Sequence, residues 1–246
     1  SLCFERDNRW GQIKPFALLS PDALLHSSLP LKPTPVYPAN SIIGKIMTKR
    51  KIIIDTDPGQ DDAVAILVAL ASPDELEVIG ITAVAGNVPL ELTQKNARIV
   101  CELANRPDVQ VFAGCNRPLG RQLVTAEHVH GKTGLDGPSL PDPKIPLQDE
   151  HAVDFIIRSL REEASKTITL CPLGPLTNIA TAFQKAPDIV PMVEEIVLMG
   201  GAYFEVGNIT PTAEFNIYVD PEAADIIFKS GAQIVVLPLD VTHKAL

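Results

Sequence analysis

Lys51-Ile52-Ile53-Ile54-Asp55-Thr56-Asp57-Pro58-Gly59-Gln60-Asp61-Asp62 sets four carboxylates directly behind a β-branched apolar run. A strand that ends in an acid cluster gathers those side chains at the carboxyl edge of a sheet, where open α/β folds keep their ligand sites. Anions so close together repel one another, so the arrangement is costly unless a cation neutralises them. A hard divalent metal held by oxygen ligands is the natural candidate. Pro58-Gly59 makes the turn tight enough for Asp57 to converge with Asp61 and Asp62, which fall near a helix N-terminus that favours negative charge. N-capping plus a solvated turn accounts for one or two of these acids, hardly for four.

From Lys51 onward, short β-rich runs alternate with helical patterns. The expected strands are 51–55, 77–84, 109–113, 167–171, 195–199 and 233–238, and the expected helices 61–72, 90–105, 150–165, 175–186 and 220–230. That spacing predicts βαβ units and an α/β fold: an open, mostly parallel sheet with flanking helices and a Rossmann-like core. Asp220-Pro221 is an N-cap followed by proline at the first helical position, and Gly231 is a helix stop. The segment 114–149 is long for a connection, rich in proline and glycine, and of the kind that usually carries function.

The whole chain has 246 residues, enough for one α/β domain, with 46% apolar and 21% charged residues. These proportions are those of a soluble globular protein. A net charge of −9 argues against general nucleic-acid binding, which needs a basic face. No apolar run reaches the length of about 18 residues that crosses a membrane. Cys3, Cys101, Cys115 and Cys171 show no metal spacing and read as free thiols, buried in the last three cases, which points to a reducing, cytoplasmic compartment. Residues 1–46 differ from the rest, with six prolines, the sole Trp10 and no sustained period. They are expected to be a disordered or non-native leader, ahead of one domain over 47–246.

Other strand ends carry polar sets at the same edge. Gly86-Asn87 closes the second strand, and Asn87 either orients a carboxylate, binds a hydroxyl or simply makes a turn. Cys171-Pro172-Leu173-Gly174 exposes backbone carbonyls, ordinary calcium ligands, unless it is only a β-to-α turn with Thr177 or Asn178 near the cap. Met199-Gly200-Gly201 ends a further strand, followed by Asn208, Glu214 and Asn216, which offer hydroxyl-binding groups. His130 lies in the long loop within reach of a pocket, whereas His243 reads as structural or surface. No serine nucleophile elbow and no supported Cys–His pairing is present.

Taken in order, Asp55-Thr56-Asp57-Pro58-Gly59-Gln60-Asp61-Asp62, Ala85-Gly86-Asn87, Val129-His130-Gly131, Gly174 to Asn178, Val197 to Gly201 and Ala213-Glu214-Phe215-Asn216 resemble the inosine/uridine-type ribonucleoside hydrolases. The similarity runs from about Lys51 to Leu246, with a weak lean toward bacterial pyrimidine-preferring members. The resemblance implies hydrolysis of the N-glycosidic bond of ribonucleosides and one Ca²⁺ at the bottom of a ribose pocket. By the same resemblance Asp57, Asp62 and the Leu173 carbonyl hold the metal, and Asp57 also takes a proton from a calcium-bound water. Asp61, Asn87, Asn208, Glu214 and Asn216 hold ribose hydroxyls, with Asn216 also counted as catalytic, and Met199 and His130 in the substrate pocket. Asp55 supports Asp57 from behind. The implied partner is a small nucleoside, with neither nucleic acid nor membrane, and the implied full-length assembly is a homo-dimer or tetramer.

The family has a further His-Asp pair downstream, and this chain ends before it. The domain is therefore expected to lack its C-terminal part, with an incomplete metal shell and an inactive fragment as one expectation. Two rivals stand beside the hydrolase: a non-catalytic nucleoside- or calcium-binding protein, and a haloacid-dehalogenase-like phosphatase. Pro58-Gly59 and the absence of a later Gly-Asp pair count against the phosphatase.

Overall fold

The computed structural model describes residues 49–137 and 139–244. The leader expected at 1–46 lies outside the described residues. The elements are β1 (Arg50–Thr56), α1 (Gln60–Leu70), β2 (Leu76–Ala83), α2 (Leu90–Leu103), β3 (Val111–Ala113), α3 (Glu127–His130), β4 (Leu147–Gln148) and α4 (Ala152–Glu162). They continue with β5 (Ile168–Pro172), α5 (Thr177–Lys185), a 3-10 turn over Pro187–Met192, β6 (Glu195–Met199), α6 (Phe215–Val219), α7 (Pro221–Lys229), β7 (Ile234–Leu237) and α8 (Leu239–Thr242).

The strands form one seven-stranded sheet in the order β4-β3-β2-β1-β5-β6-β7, every pair parallel. The expected parallel α/β sheet is therefore what the chain builds. Successive strands grow outward from β1 on one side as far as β4, then the chain returns and grows outward on the other side from β5. The order thus reverses between β1 and β5, and a crevice opens at the carboxyl ends of strands at such a switch point.

β1 holds the centre because Ile52, Ile53 and Ile54 are all buried, the continuous apolar reading of a strand covered on both faces. Strand alternation sends Ile53 to one core layer, with Phe112, Phe155, Leu160 and Ile179. It sends Ile52 and Ile54 to the other layer, with Ile66, Ile81 and Val100. Each such side chain contributes about 1.5–3 kcal/mol by leaving water. The result is a rigid central strand whose last residues are fixed in place.

Every expected strand and helix has a counterpart, with ends shifted by a few residues. The caps also follow the sequence: Ala223 N–H donates to the Asp220 carboxylate at 3.0 Å, and Gly231 takes φ +83°. β4, α3, α6, α8 and the 3-10 turn were not expected, because two to six residues are too few to display a period. α3 and β4 organise the long 114–149 segment. Of the thiols expected to be buried, Cys101 is, while Cys115 and Cys171 are half-buried; all three are free. Among the described residues, no helix is long and apolar enough to cross a membrane.

Candidate active site

β1 delivers Asp55 and Asp57 to its carboxyl end, and both are about 1% exposed. The parallel register sets Asp55 beside Thr82 of β2 and Pro172 of β5. Thr82 Oγ1 and Asn178 Nδ2 accordingly donate to Asp55 Oδ1 at 2.6 and 2.8 Å. Asn178 also donates to the Ala83 carbonyl at 3.1 Å and accepts from Cys115 N–H at 2.7 Å, tying three strand ends together. Asp55 is thus held at the carboxyl end of β1, and burial pushes its pKa up to about 7 against the pull of its two donors.

The Pro58-Gly59 turn brings Asp62 back across the end of β1. Thr56 Oγ1 donates to Asp62 Oδ1 at 2.7 Å and Gly59 N–H to Oδ2 at 3.2 Å. Asn87 N–H donates to Asp57 Oδ2 at 2.7 Å, while its Nδ2 donates to the Asp57 carbonyl at 3.0 Å. Asp57 Oδ1 and Asp55 Oδ2 are buried without a hydrogen-bond partner among the described residues. Burial, then the charge of Asp62, raises the Asp57 pKa well above the carboxylate range; burial and Asp61 raise Asp62 to about 6. The backbone makes room for this: a β-carbon on Gly86 or Gly174 would stand 2.0 or 2.3 Å from the Asp57 carboxylate.

The ends of β5 and β6 supply the facing wall. Asn216 Nδ2 donates to the Leu173 carbonyl at 2.7 Å and to the Met199 carbonyl at 3.1 Å. Both partners can only accept, so the Asn216 amide orientation is fixed and its Oδ1 is left for a ligand. Buried Glu214 caps α6, with Oε1 accepting from Asn216 N–H at 2.9 Å and Oε2 from Gly201 N–H at 2.9 Å. Burial raises its pKa despite these bonds. Asn208 Oδ1 accepts from Phe215 N–H at 2.8 Å.

These groups border a cavity of about 750 Å³ whose lining includes Asp61, Asp62, Asn87, His130, Leu173, Met199, Asn208, Glu214 and Asn216. Asp57 does not line it but accepts from the N–H of Asn87, which does. A more open cavity of about 510 Å³ beside Cys115, Arg117 and His151 holds none of the expected site residues. His243, expected to be structural or surface, is exposed; it borders the larger cavity and sits 3.7 Å from Glu205. α8 is tied to the loop after β6, with Tyr203 and Phe204 N–H groups donating to Asp240 at 2.9 Å and Leu239 N–H to the Gly201 carbonyl at 2.9 Å. Thr82, Asn178 and Gln60 were missed. A register argument could have found Thr82; Asn178 and Gln60 act across distances no local pattern encodes.

Two convergent carboxylates and a backbone carbonyl are oxygen donors suited to a hard ion, and the partnerless Asp57 Oδ1 is the kind of buried atom that such an ion satisfies. Among the described residues no three His, Cys, Asp or Glu groups converge on one point. The residues fit part of a metal shell.

A parallel sheet that buries carboxylates at its switch point, beside a cavity lined by both polar and apolar side chains, defines an open α/β protein with a site of small-molecule size. The chain belongs to the inosine-uridine preferring nucleoside hydrolase family, whose model matches residues 52–246. It is 57% identical over 194 residues to an uncharacterized protein of Schizosaccharomyces pombe, covering 79% of this chain and 62% of that one. It is 52% identical over 196 residues to the pyrimidine-specific ribonucleoside hydrolase RihA of Photobacterium profundum, covering 80% and 62%. Among solved structures, a purine-preferring ribonucleoside hydrolase from Gardnerella vaginalis matches with TM-score 0.76 at 42% identity, covering 79% and 62%. The plant nucleoside hydrolase PpNRh1 matches with TM-score 0.73 at 42% identity, covering 80% and 62%. The chain spans about 62% of the length of these relatives. Membership of this family removes the phosphatase alternative.

Proposed function

We propose that the full-length protein hydrolyses the N-glycosidic bond of ribonucleosides to free base and ribose, with Asp57 as the group that takes the proton from water. The observation that carries this reading is the buried Asp57 carboxylate, its Oδ1 partnerless and its proton affinity raised, joined to Asn87 and Asp62 of the cavity wall by hydrogen bond and by charge. A general base works best when its pKa approaches the working pH, and burial beside Asp62 moves Asp57 that way. Asp61, Asn87, Asn208, Glu214 and Asn216 hold the ribose hydroxyls and fix the ring for attack. The same carboxylates and the free Asn216 Oδ1 favour the positive charge of an oxocarbenium-like state. Met199 and His130 complete the pocket wall.

Ca²⁺ is the proposed cofactor, held by Asp57, Asp62 and the Leu173 carbonyl. When bound, such an ion supplies positive charge that eases deprotonation of water and offsets the repulsion of the two carboxylates. The free thiols accord with a cytoplasmic site of action, and the family accords with a dimer or tetramer. The 52% identity to a protein named pyrimidine-specific favours pyrimidine nucleosides. Ribose release from uridine, cytidine and inosine, with and without chelator, tests the whole reading. Release that chelator abolishes is expected. Nucleoside binding without any ribose from the full-length protein would defeat it in favour of a non-catalytic binder.

A further inference from the structure

Gln60, the first residue of α1, grips His130 of α3 through both ends of its amide. Its Nε2 donates to the His130 carbonyl at 3.3 Å, and its Oε1 lies 2.7 Å from His130 Nδ1. A peptide carbonyl can only accept, so the amide nitrogen must face it and the amide oxygen must face the ring. That oxygen also can only accept, so Nδ1 must carry the hydrogen. In the neutral imidazole the lone pair is then on Nε2. Gly59 leaves room for the grip, since a β-carbon there would meet Nδ1 at 2.5 Å and Cε1 at 2.7 Å. His130 borders the cavity alongside Asp61 and Asn87, and its Nε2 has no partner among the described residues.

We infer that Gln60 is a positioning residue that selects the Nδ1–H tautomer of His130, so that Nε2 is presented to the cavity ligand as a hydrogen-bond acceptor for a nucleobase bearing an N–H or amino donor. The identity of the ligand rests on the hydrolase reading; the tautomer does not. A base that offers only acceptors at that edge gains nothing from Nε2, and the difference is a preference written by the one amide within the acid-cluster segment.

Long-range ¹H–¹⁵N correlation spectra of the full-length protein at alkaline pH test the tautomer, with the His130 signals assigned by their loss in His130→Ala. Wild type is expected to show the Nδ1–H pattern and Gln60→Leu the Nε2–H pattern. Gln60→Glu, whose carboxylate can only accept, is expected to restore Nδ1–H. An Nε2–H pattern in wild type, or an Nδ1–H pattern surviving in Gln60→Leu, overturns the inference. A second readout compares kcat/KM for uridine and for its N3-methylated analogue, which lacks the ring N–H. Gln60→Leu is expected to lower the preference for uridine about fivefold to tenfold, the worth of one neutral hydrogen bond, and Gln60→Glu to recover it. An unchanged preference refutes base recognition. Absence of ribose from every nucleoside would strike the proposed function and base recognition together, leaving tautomer selection to stand or fall on the spectra.

Discussion

Gly174 and Asp57 are packed so closely that a β-carbon on the glycine would stand 2.3 Å from Asp57 Oδ1. The backbone after β5 has moved into the space that any other residue's side chain needs, and the buried carboxylate fills it. Gly174→Ala must therefore shift either the β5 end or Asp57 itself. A stability loss of about 1–3 kcal/mol is expected from the overpacking, together with at least a tenfold fall in ribose release. Urea denaturation and ribose assay check the pair; normal activity at normal stability would remove Asp57 from its assigned place.

Asp57→Asn separates chemistry from packing. The amide keeps the shape but cannot take a proton, so activity should fall by about 10²–10⁴, the usual worth of a general base. Stability should hold or rise, because a buried charge without compensation is replaced by a neutral group. Activity within a few-fold of wild type would sink the base assignment.

The buried carboxylates set the pH dependence of stability in chelator. Asp55 has its folded pKa raised from 3.8 to about 7, and Asp62 to about 6. Between pH 4 and 7 the folded state therefore binds more protons than the unfolded one, so stability is full below about pH 4 and falls as pH rises toward 7. Urea midpoints across that range should decline; a flat or rising profile would contradict the burial of these groups as charged species.

Calcium should reverse that trend. An ion held by Asp57 and Asp62 favours their ionised forms, so its stabilisation grows with pH, and at a hundredfold excess over its Kd it is worth about 2.7 kcal/mol. Thermal scans of the full-length protein with calcium or with chelator at two pH values measure this. Identical melting in both at the higher pH would exclude the assigned metal site.

Asn178→Ala removes a side chain that satisfies Cys115 N–H, the Ala83 carbonyl and Asp55 Oδ1 at once. The Ala83 carbonyl keeps the Gly114 N–H and Asp55 Oδ1 keeps Thr82, so Cys115 N–H is the group left unpaired, and a loss of about 1–3 kcal/mol in urea denaturation is expected. A loss below about 0.5 kcal/mol would show that Asn178 does not tie the strand ends.

Local patterns carried a great deal here. The apolar run Ile52-Ile53-Ile54 announced a strand buried on both faces, and the alternation after it announced a parallel sheet. The acid cluster pointed to the candidate site because strand ends converge on one edge in such folds. Elements of two to six residues escaped notice, since too few side chains exist to show a period.

Sequence by itself determined the parallel α/β architecture and pointed to the edge of the candidate site and to the carboxylates, amides and glycines proposed for it. Those properties live in residue type and spacing, which hydrophobic burial and turn chemistry translate directly into strands, helices and their order. Only the tertiary structure decided which oxygen of Asp57 is left without a partner, that Asn178 braces Asp55, that Asn216 turns its nitrogen to Leu173 and Met199, and that Gln60 grips His130. Each of these joins residues far apart in the chain, and the direction of a hydrogen bond is fixed by the partner a side chain meets, which no local pattern specifies.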